Sequence, residues 1–252
     1  MSAAFSLAGK TALVTGANAG LGRAMAVALA AGGADIVAVG RRTPGETDSA
    51  VAALGRKLVY VEADLRAPRA AAAIVTAAVR AFDSIDILVN NAGIIRRNDA
   101  VAFDEADWDE VFDVNLKSAF FLSQAIARRL IEQRRPGKII NIASMLSFQG
   151  GVRVASYTAS KSGVAGLTKL LANEWAPHRI NVNAIAPGYF VTDNTTALRS
   201  DAKRNAEIVS RIPAGRWGEP ADLAGAAVFL ASAASDYVHG VILPVDGGWL
   251  AR

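Results

Sequence analysis

The first regular element begins in the stretch Thr11-Ala-Leu-Val-Thr-Gly16-Ala-Asn18-Ala-Gly20-Leu21-Gly22. An apolar, strand-forming run leads into a glycine-rich turn, and alanine-rich sequence follows it. Glycines let the backbone turn tightly and approach a pyrophosphate, while the free N–H groups at the start of a helix attract phosphate. Glycine patterns also occur in simple turns. Placed between a first strand and a first helix, this one predicts that Gly16, Asn18, Gly20, Leu21 and Gly22 bind a dinucleotide.

The rest of the chain alternates between short apolar runs and alanine-rich stretches with helical spacing. The runs predict buried strands over residues 11–15, 35–39, 57–61, 85–89, 138–142, 180–184 and 241–243. The alanine-rich stretches predict helices over residues 22–31, 69–82, 108–133, 156–175 and 222–231. Strands separated by helices of this length are joined by parallel crossovers. We therefore predict an α/β fold: a single doubly wound (Rossmann) domain over 1–252, with a seven-stranded parallel sheet and helices on both faces.

Composition excludes several classes of protein. The chain has 252 residues, 52% of them apolar and 20% charged, which is typical of a packed globular enzyme. No apolar run approaches the roughly 20 residues needed to span a bilayer. Residues 1–7 lack the basic and then apolar order of a secretory signal, so we expect a cytoplasmic protein that does not bind membranes.

Charge and metal-binding residue types point to small anions rather than to nucleic acid or metal. The formal charge is +4, but the arginine pairs are spread along the chain without a dense basic tract or interleaved aromatic residues. We therefore expect no nucleic-acid partner. Cysteine is absent from the sequence, and its two histidines, His178 and His239, are isolated, so we expect no metal site.

A serine, a tyrosine and a lysine have the spacing of a proton-transfer site. Tyr157 and Lys161 lie four residues apart, so on a helix they share one face, and Ser144 lies shortly upstream. A nearby ammonium favours the phenolate, which predicts that Lys161 lowers the pKa of Tyr157 toward neutrality. Ser144 is expected to hydrogen-bond the reacting oxygen. Taken alone, the spacing also fits a solvated helix face.

The end of the second predicted strand bears on cofactor choice. A carboxylate there accepts hydrogen bonds from the ribose of NAD, whereas an arginine accommodates the 2′-phosphate of NADP. This chain has Arg41 and Arg42 after Gly40. The arginines predict a preference for NADP, with NAD possible; two solvated arginines at a strand end are the alternative.

The motifs taken in order resemble those of the short-chain dehydrogenase/reductase family over essentially the whole chain. They are Thr15-Gly16-x-x-x-Gly20-x-Gly22, Asp64, Asn90-Asn91-Ala92-Gly93, Asn115, Ser144, Tyr157-x-x-x-Lys161 and Pro187-Gly188 with Thr192. The resemblance implies catalytic roles for Asn115, Ser144, Tyr157 and Lys161, with Asn115 holding a water that links Lys161 to solvent. It also implies that the dinucleotide contacts Asp64, Leu65, Asn91, Ala92, Gly93, Tyr157, Lys161, Pro187, Gly188 and Thr192.

Within that family, residues 91–97, 143–151, 211–218 and 246–252 resemble the branch that acts on sugar acids. The resemblance implies hydride transfer between a nicotinamide and a secondary alcohol or ketone of the 2-dehydro-3-deoxy-D-gluconate or 2-deoxy-D-gluconate type. It also implies NAD, in contrast to Arg41 and Arg42. Gluconate 5-dehydrogenase or another polyol or ketone reductase is an alternative. A non-catalytic dinucleotide-binding regulator is a remote one, since such a protein is expected to lack Tyr157 or Lys161.

A sugar acid requires a cation for its carboxylate and polar groups for its hydroxyls. The substrate residues that we predict are Ser144, Arg97, Gln149, Arg153 and Tyr189, with Arg97 or Arg153 on the carboxylate. A substrate-loop insertion at about 189–215 is expected to close over the substrate. The apolar helices at 108–133 and 156–175 and the tail from Trp249 fit subunit contacts. The family resemblance implies a homotetramer.

Overall fold

A computed structural model describes residues 3–67 and 69–252 of the chain. Among these residues, seven strands form one parallel sheet in the order β3-β2-β1-β4-β5-β6-β7. The strands are β1 (Thr11–Thr15), β2 (Asp35–Gly40), β3 (Leu58–Glu62), β4 (Ile87–Asn90), β5 (Gly137–Ile142), β6 (Ile180–Pro187) and β7 (Ile242–Val245). The predicted doubly wound parallel sheet is confirmed.

Helices cover both faces of the sheet. They are α1 (Gly20–Ala31), α2 (Gly45–Ala53), α3 (Ala70–Phe82), α4 (Glu105–Phe112), α5 (Ser118–Glu132), α6 (Ala155–Trp175), α7 (Thr196–Ser200), α8 (Ala202–Arg211) and α9 (Ala224–Ala231). None of the helices in residues 3–67 and 69–252 is long and apolar enough to cross a membrane.

The core lies on the two sides of the sheet because side chains alternate along a strand. On β1, Val14 packs into the cluster that includes Met25 and Leu29 of α1, whereas Leu13 packs into the cluster with Leu122 of α5. All five residues of β1 are buried. A strand buried on both faces reads as a continuous apolar run, which is why the central strands were predictable from sequence.

The helix predicted over 108–133 differs from prediction in the middle. It begins at Glu105, where the Asp104 side chain accepts hydrogen bonds from the N–H groups of Ala106 and Asp107. A π-helical turn, Asp113–Lys117, then separates α4 from α5. Such turns insert one residue into a helix and often occur at functional sites. Here the inserted turn carries Asn115.

Two further elements lie outside the predicted pattern. The short helix α2 has an acidic, polar first turn and few apolar residues, so its sequence has little helical periodicity. The tail from Trp249 was expected to contact another subunit, but the Trp249 side chain is only 4% exposed and packs on Tyr189 within the same chain. That part of the prediction is wrong for Trp249, because the tail folds back onto residues 189–217.

Candidate active site

The glycine turn forms a close contact between the end of β1 and the start of α1. Gly16 has a φ of +67°, which favours glycine, and its N–H donates to the carbonyl of Val39 at the end of β2. A Cβ on Gly22 would lie 2.1 Å from the carbonyl oxygen of Gly16. Only glycine therefore fits at Gly22, and the turn brings backbone rather than side chains to the amino-terminal end of α1. This cradle fits a pyrophosphate.

Asn91 and Thr15 hold the glycine turn against the loop that follows β4. The amide of Asn91 donates to the carbonyl oxygens of Thr15 at 2.8 Å and Gly16 at 3.3 Å. The Thr15 hydroxyl accepts hydrogen bonds from the N–H groups of Asn91 and Ala92, at 3.0 and 2.9 Å. The Asn91 side chain therefore braces the turn. Thr15, which precedes the glycine turn, supports both loops.

A cleft of about 170 Å³ runs from this turn along the carboxyl ends of β2 and β3. Eight of the 17 residues predicted to contact the dinucleotide lie here. The cleft is lined by the predicted residues Gly16, Asn18, Arg41, Arg42, Asp64, Leu65, Ala92 and Gly93. Leu21 is placed differently, because its side chain packs against the core cluster on the α1 side of the sheet.

The charged groups of this cleft form a connected network. Arg66 donates to Asp64 at 2.6 Å and to Glu110 of α4 at 2.7 Å, and Glu110 also pairs with Arg96. The hydrogen bonds from Arg66, with a smaller contribution from the charge of Arg41, lower the pKa of Asp64 to about 2. Asp64 is therefore an ionised acceptor at neutral pH. Arg66 was not predicted as part of the site, although it lies two residues after Asp64.

Lys161 is buried beneath Tyr157, on the first turns of α6. Its Nζ atom lies 5.6 Å from the centre of the Tyr157 ring and donates to the carbonyl oxygen of Ile142, at the end of β5, over 2.6 Å. The side chain is 4% exposed. Burial disfavours the ammonium and lowers the pKa of Lys161 to about 8.

The pKa of Tyr157 shifts in the direction opposite to that predicted from its spacing to Lys161. Its pKa is raised, because burial of the phenol outweighs a hydrogen bond with Ser144 and the positive charge of Arg97, which both lower it. The prediction that Lys161 moves the phenol toward neutrality is therefore wrong for this chain by itself. Ser144 and Arg97, which lie outside α6, lower the pKa of Tyr157 instead.

Ser144 and Asn115 reach the site from different elements. Ser144 follows β5, and its Oγ accepts a hydrogen bond from the N–H of Leu146 at 3.2 Å. In the π-turn, the buried Asn115 amide accepts from the N–H of Ile94 at 2.8 Å and donates to its carbonyl at 3.0 Å. It also donates to the Ser160 hydroxyl at 3.2 Å. The Asn115 side chain thereby ties α6 to the loop after β4.

A second cavity, of about 480 Å³, lies above Tyr157. Several predicted residues line it together with side chains of α8 and the carboxyl-terminal tail. Its polar and aromatic lining includes Arg97, Ser144, Gln149, Tyr157, Tyr189, Asn194, Arg204, Glu207, Arg211 and Trp249. Arg204 and Glu207 were not predicted, because they lie on a polar helix whose facing side is decided by packing, whereas Arg211 begins the stretch 211–218 that resembles the sugar-acid branch.

Arg153 is not part of this lining. It has a left-handed backbone conformation, with a φ of +63°, and its Nε atom pairs with Asp99 at 3.0 Å in an exposed position. We therefore remove Arg153 from the residues predicted to bind the substrate. Arg96 is likewise engaged elsewhere, with Asp107 at 3.2 Å and with Glu110.

The segment that follows β6 runs from the larger cavity toward the start of α1. Gly188 lines the larger one. After Pro187 and Gly188 the chain reaches Thr192, whose methyl carbon lies 3.6 Å from the position that a Cβ of Gly20 would occupy. Thr192 therefore lies beside the amino-terminal end of α1. Trp217 supports the segment from behind, because its Nε1 donates to Asn205 at 2.7 Å and its ring packs edge-on against Tyr189.

Comparisons with known proteins agree with this geometry. A family model described as "Enoyl-(Acyl carrier protein) reductase" (adh_short_C2) matches residues 16–250. The chain is 62% identical to 2-dehydro-3-deoxy-D-gluconate 5-dehydrogenase of Escherichia coli (strain K12) over 249 residues, covering 99% of this chain and 98% of that protein.

Solved structures are similar over the same length. A structure from Agrobacterium tumefaciens, described as a 2-deoxy-D-gluconate 3-dehydrogenase with bound NADP, is 62% identical, with a TM-score of 0.94 and coverage of 99% of both chains. One from Beutenbergia cavernae, described as an NAD(P)-dependent gluconate 5-dehydrogenase with bound NADP, is 51% identical, with a TM-score of 0.94 and coverage of 99% and 100%. The chain therefore belongs to the short-chain dehydrogenase/reductase family, and it is an oxidoreductase.

Proposed function

We propose that the protein is an NADP-dependent dehydrogenase of a sugar acid of the 2-dehydro-3-deoxy-D-gluconate type. The observation that carries the proposal is the cavity above Tyr157, in which Ser144 and the phenol meet side chains suited to a polyhydroxylated anion. The charged residues that line it are three arginines and one glutamate. The proposal is supported by the name of the Escherichia coli relative at 62% identity.

Each member of the catalytic set has a distinct role. The nicotinamide, when bound, supplies or accepts the hydride. In reduction Tyr157 donates its proton to the carbonyl oxygen, and in oxidation it takes the proton of the alcohol. Ser144 hydrogen-bonds and orients the same oxygen. Lys161 holds a proton at Nζ and binds the nicotinamide ribose, and Asn115 positions a water through which Lys161 exchanges protons with solvent.

The raised pKa of Tyr157 bears on direction. The phenol keeps its proton at neutral pH because burial disfavours the phenolate. The free protein is therefore prepared to donate a proton, as reduction requires. Oxidation requires the phenolate, so its rate should rise with pH in the alkaline range.

NADP is the cofactor that the cleft favours. Arg41 and Arg42 line it, and no acidic residue occupies the end of β2 that would repel a 2′-phosphate. The ionised Asp64 would accept a hydrogen bond from the adenine amino group. The relatives from Agrobacterium tumefaciens and Beutenbergia cavernae, described with bound NADP, support this choice. Comparison of kcat/KM for NADP and NAD tests it, and a preference of tenfold or more for NAD would overturn it.

The residue set extends beyond the two cavities. We include Pro187, Gly188 and Thr192 beside the nicotinamide, with Gln149 and Tyr189 on the substrate hydroxyls and Arg97 beside the reacting carbon. The insertion at about 189–215, which holds α7 and α8, closes over the substrate in this proposal. Its helix α8 buries Ile208 and leaves most of its surface exposed, as a movable cover would.

We also propose a homotetramer in the cytoplasm. The groove between the π-turn with α5 and helix α6 is apolar and open, with Phe121 46% and Leu170 50% exposed. Large exposed side chains in one groove are typical of subunit contacts. Light scattering on the purified protein tests the assembly, and a monomeric mass would contradict it. Fractionation of cells that express it tests the location.

The decisive experiment is a screen of sugar acids and neutral polyols with both cofactors, followed at the nicotinamide absorbance. We expect the highest kcat/KM with 2-dehydro-3-deoxy-D-gluconate and NADP. Gluconate 5-dehydrogenase is the second candidate, supported by the Beutenbergia cavernae relative at 51% identity, and it predicts gluconate or its 5-keto form as the best substrate. Absence of turnover with every acid in both directions would overturn both.

A further inference from the structure

We propose that Arg211 binds the carboxylate of the substrate. The inference rests on the proposed sugar-acid activity and assigns a residue to it. Arg211 is the last residue of α8 and lines the cavity above Tyr157.

The guanidinium of Arg211 is held by stacking. Its Cζ atom lies 4.0 Å from the centre of the Trp249 ring. A stacked guanidinium keeps the N–H groups in its own plane free, and these match the two oxygens of a carboxylate. Stacking over an aromatic face also restricts the side chain in the free protein, so less conformational entropy is lost when a carboxylate binds. Arg211 is thus oriented before an anion arrives.

The Trp249 ring is itself fixed on three sides. It is 4% exposed, its Nε1 donates to the Gln149 side chain at 3.3 Å, and the Tyr189 ring packs against it at 4.9 Å between centres. Gln149 and Tyr189 line the same cavity. The tail therefore serves as a platform that places Arg211 toward the substrate and joins it to two hydroxyl-binding candidates.

The charges of the cavity leave Arg211 available to a ligand. Of the lining arginines, Arg204 pairs with Glu207 at 3.0 Å on the same helix. Neither Arg97 nor Arg211 belongs to an ion pair with any carboxylate in residues 3–67 and 69–252. Since Glu207 is neutralised by Arg204, the cavity offers two cations to an anionic substrate.

The two remaining arginines differ in their relation to Tyr157. The charge of Arg97 acts on the phenol, and Arg97 also donates to the carbonyl of Asn194 at 3.4 Å, beside Thr192. Arg97 is thereby engaged beside the phenol and the segment that follows β6, which leaves Arg211 as the cation for the carboxylate.

The test compares Arg211→Met, Arg211→Lys and the matched control Lys203→Met with the wild type. Lys203 is an exposed cation on the same helix outside the cavity lining. Each is assayed on 2-dehydro-3-deoxy-D-gluconate and on its uncharged C1 amide. We expect Arg211→Met to raise KM for the acid about 30-fold, the range of a lost charge-assisted pair, with the amide changed less than about threefold. Arg211→Lys should lie between, and Lys203→Met should match the wild type.

The outcomes separate this inference from the function on which it rests. Absence of wild-type turnover on sugar acids would refute the proposed activity, and this assignment with it. With an active wild type, an acid KM unchanged in Arg211→Met, or an equal loss on acid and amide, would refute the role of Arg211 alone. Melting temperature and NADPH binding report folding; should Arg211→Met not fold, an acid-selective rise of KM in Arg211→Lys supports the role and its absence refutes it.

Discussion

Lys161 and Ile142 are joined by a hydrogen bond of 2.6 Å from the buried ammonium to the main-chain carbonyl at the end of β5. The bond ties helix α6 to the end of β5, one residue before Ala143 and two before Ser144. It does not compensate fully for the loss of water around Nζ, because the pKa of Lys161 falls to about 8. Lys161 is therefore held in place at a cost to stability.

That cost should depend on pH. In the unfolded chain a lysine titrates near 10.4. Since the folded pKa is lower, the folded state binds fewer protons between about 8 and 10, and stability rises with pH in that window. We expect the stability of the wild type relative to Lys161→Met to increase by about 2 kcal/mol between pH 7 and 9.5. Urea unfolding at several pH values measures this.

Lys169 provides the control, because it is an exposed lysine on the same helix. Lys169→Met should show a constant difference from wild type across the same pH range. A Lys161→Met difference that stays flat with pH would contradict the lowered pKa.

Tyr157→Phe should remove the proton donor without removing the cofactor site. We expect kcat to fall about 1,000-fold, since a positioned acid or base typically contributes a factor of this size. NADPH binding, followed by fluorescence, should remain within about twofold, because the phenol oxygen is not part of the cleft beside the glycine turn. Retention of more than about a tenth of the wild-type rate would show that Tyr157 is not the proton donor.

Gly22→Ala should damage the phosphate cradle, since the added Cβ would lie 2.1 Å from the carbonyl oxygen of Gly16. Backbone must shift to admit it, so we expect a loss of about 2 kcal/mol in stability and at least about a tenfold rise in the Kd of NADPH. Calorimetry and fluorescence titration measure the two effects. Gly225→Ala in α9, where nothing lies within 4 Å, is the control and should stabilise by about 0.5 kcal/mol.

Arg97→Met should shift the pH dependence of catalysis. The positive charge of Arg97 lowers the pKa of Tyr157, so its removal leaves less phenolate at a given pH. The rise of oxidation kcat/KM should therefore move to higher pH, while reduction at neutral pH keeps its protonated tyrosine. Arg153→Met should leave the profile unchanged because Arg153 pairs with Asp99 outside the cavity. Equal shifts in both variants would indicate a long-range charge effect instead.

Arg41→Ala should weaken discrimination between the cofactors. We expect kcat/KM with NADP to fall at least about tenfold, as for a lost hydrogen bond between charged groups, with little change for NAD. Arg80→Ala, which removes an exposed cation on α3 away from the cleft, is the matched control. A loss of the same size with NAD would mean that Arg41 contributes to folding of the cleft rather than to the 2′-phosphate.

The elements that were predicted well from the sequence are those in which burial or a close backbone contact restricts which residue types can occur. The buried strands are apolar on both faces, and β1 begins and ends where its apolar run does. Gly22 is glycine because two backbones touch there, which motif spacing already indicates. The family and the oxidoreductase class followed from the ordered set of such motifs, and comparison with relatives confirmed them.

The direction of arginine side chains was not predictable in the same way. Arg97 and Arg153 both follow carboxyl ends of strands in the sequence, yet only Arg97 lines the cavity. Arg211 begins the motif at 211–218, but the partner that orients it, Trp249, is 38 residues further along the chain. A long charged side chain is placed by the partner it finds, and that partner is known only after folding.

The sequence by itself determined the doubly wound sheet, the glycine turn after β1 and the dehydrogenase family, because hydrophobic periodicity and backbone contacts act over a few residues. Tertiary structure alone decided the protonation state of Tyr157 and Lys161 and the membership of the substrate cavity. Burial raises the pKa of Tyr157 and lowers that of Lys161. Its extent depends on how much water is excluded by all the elements that surround the two side chains.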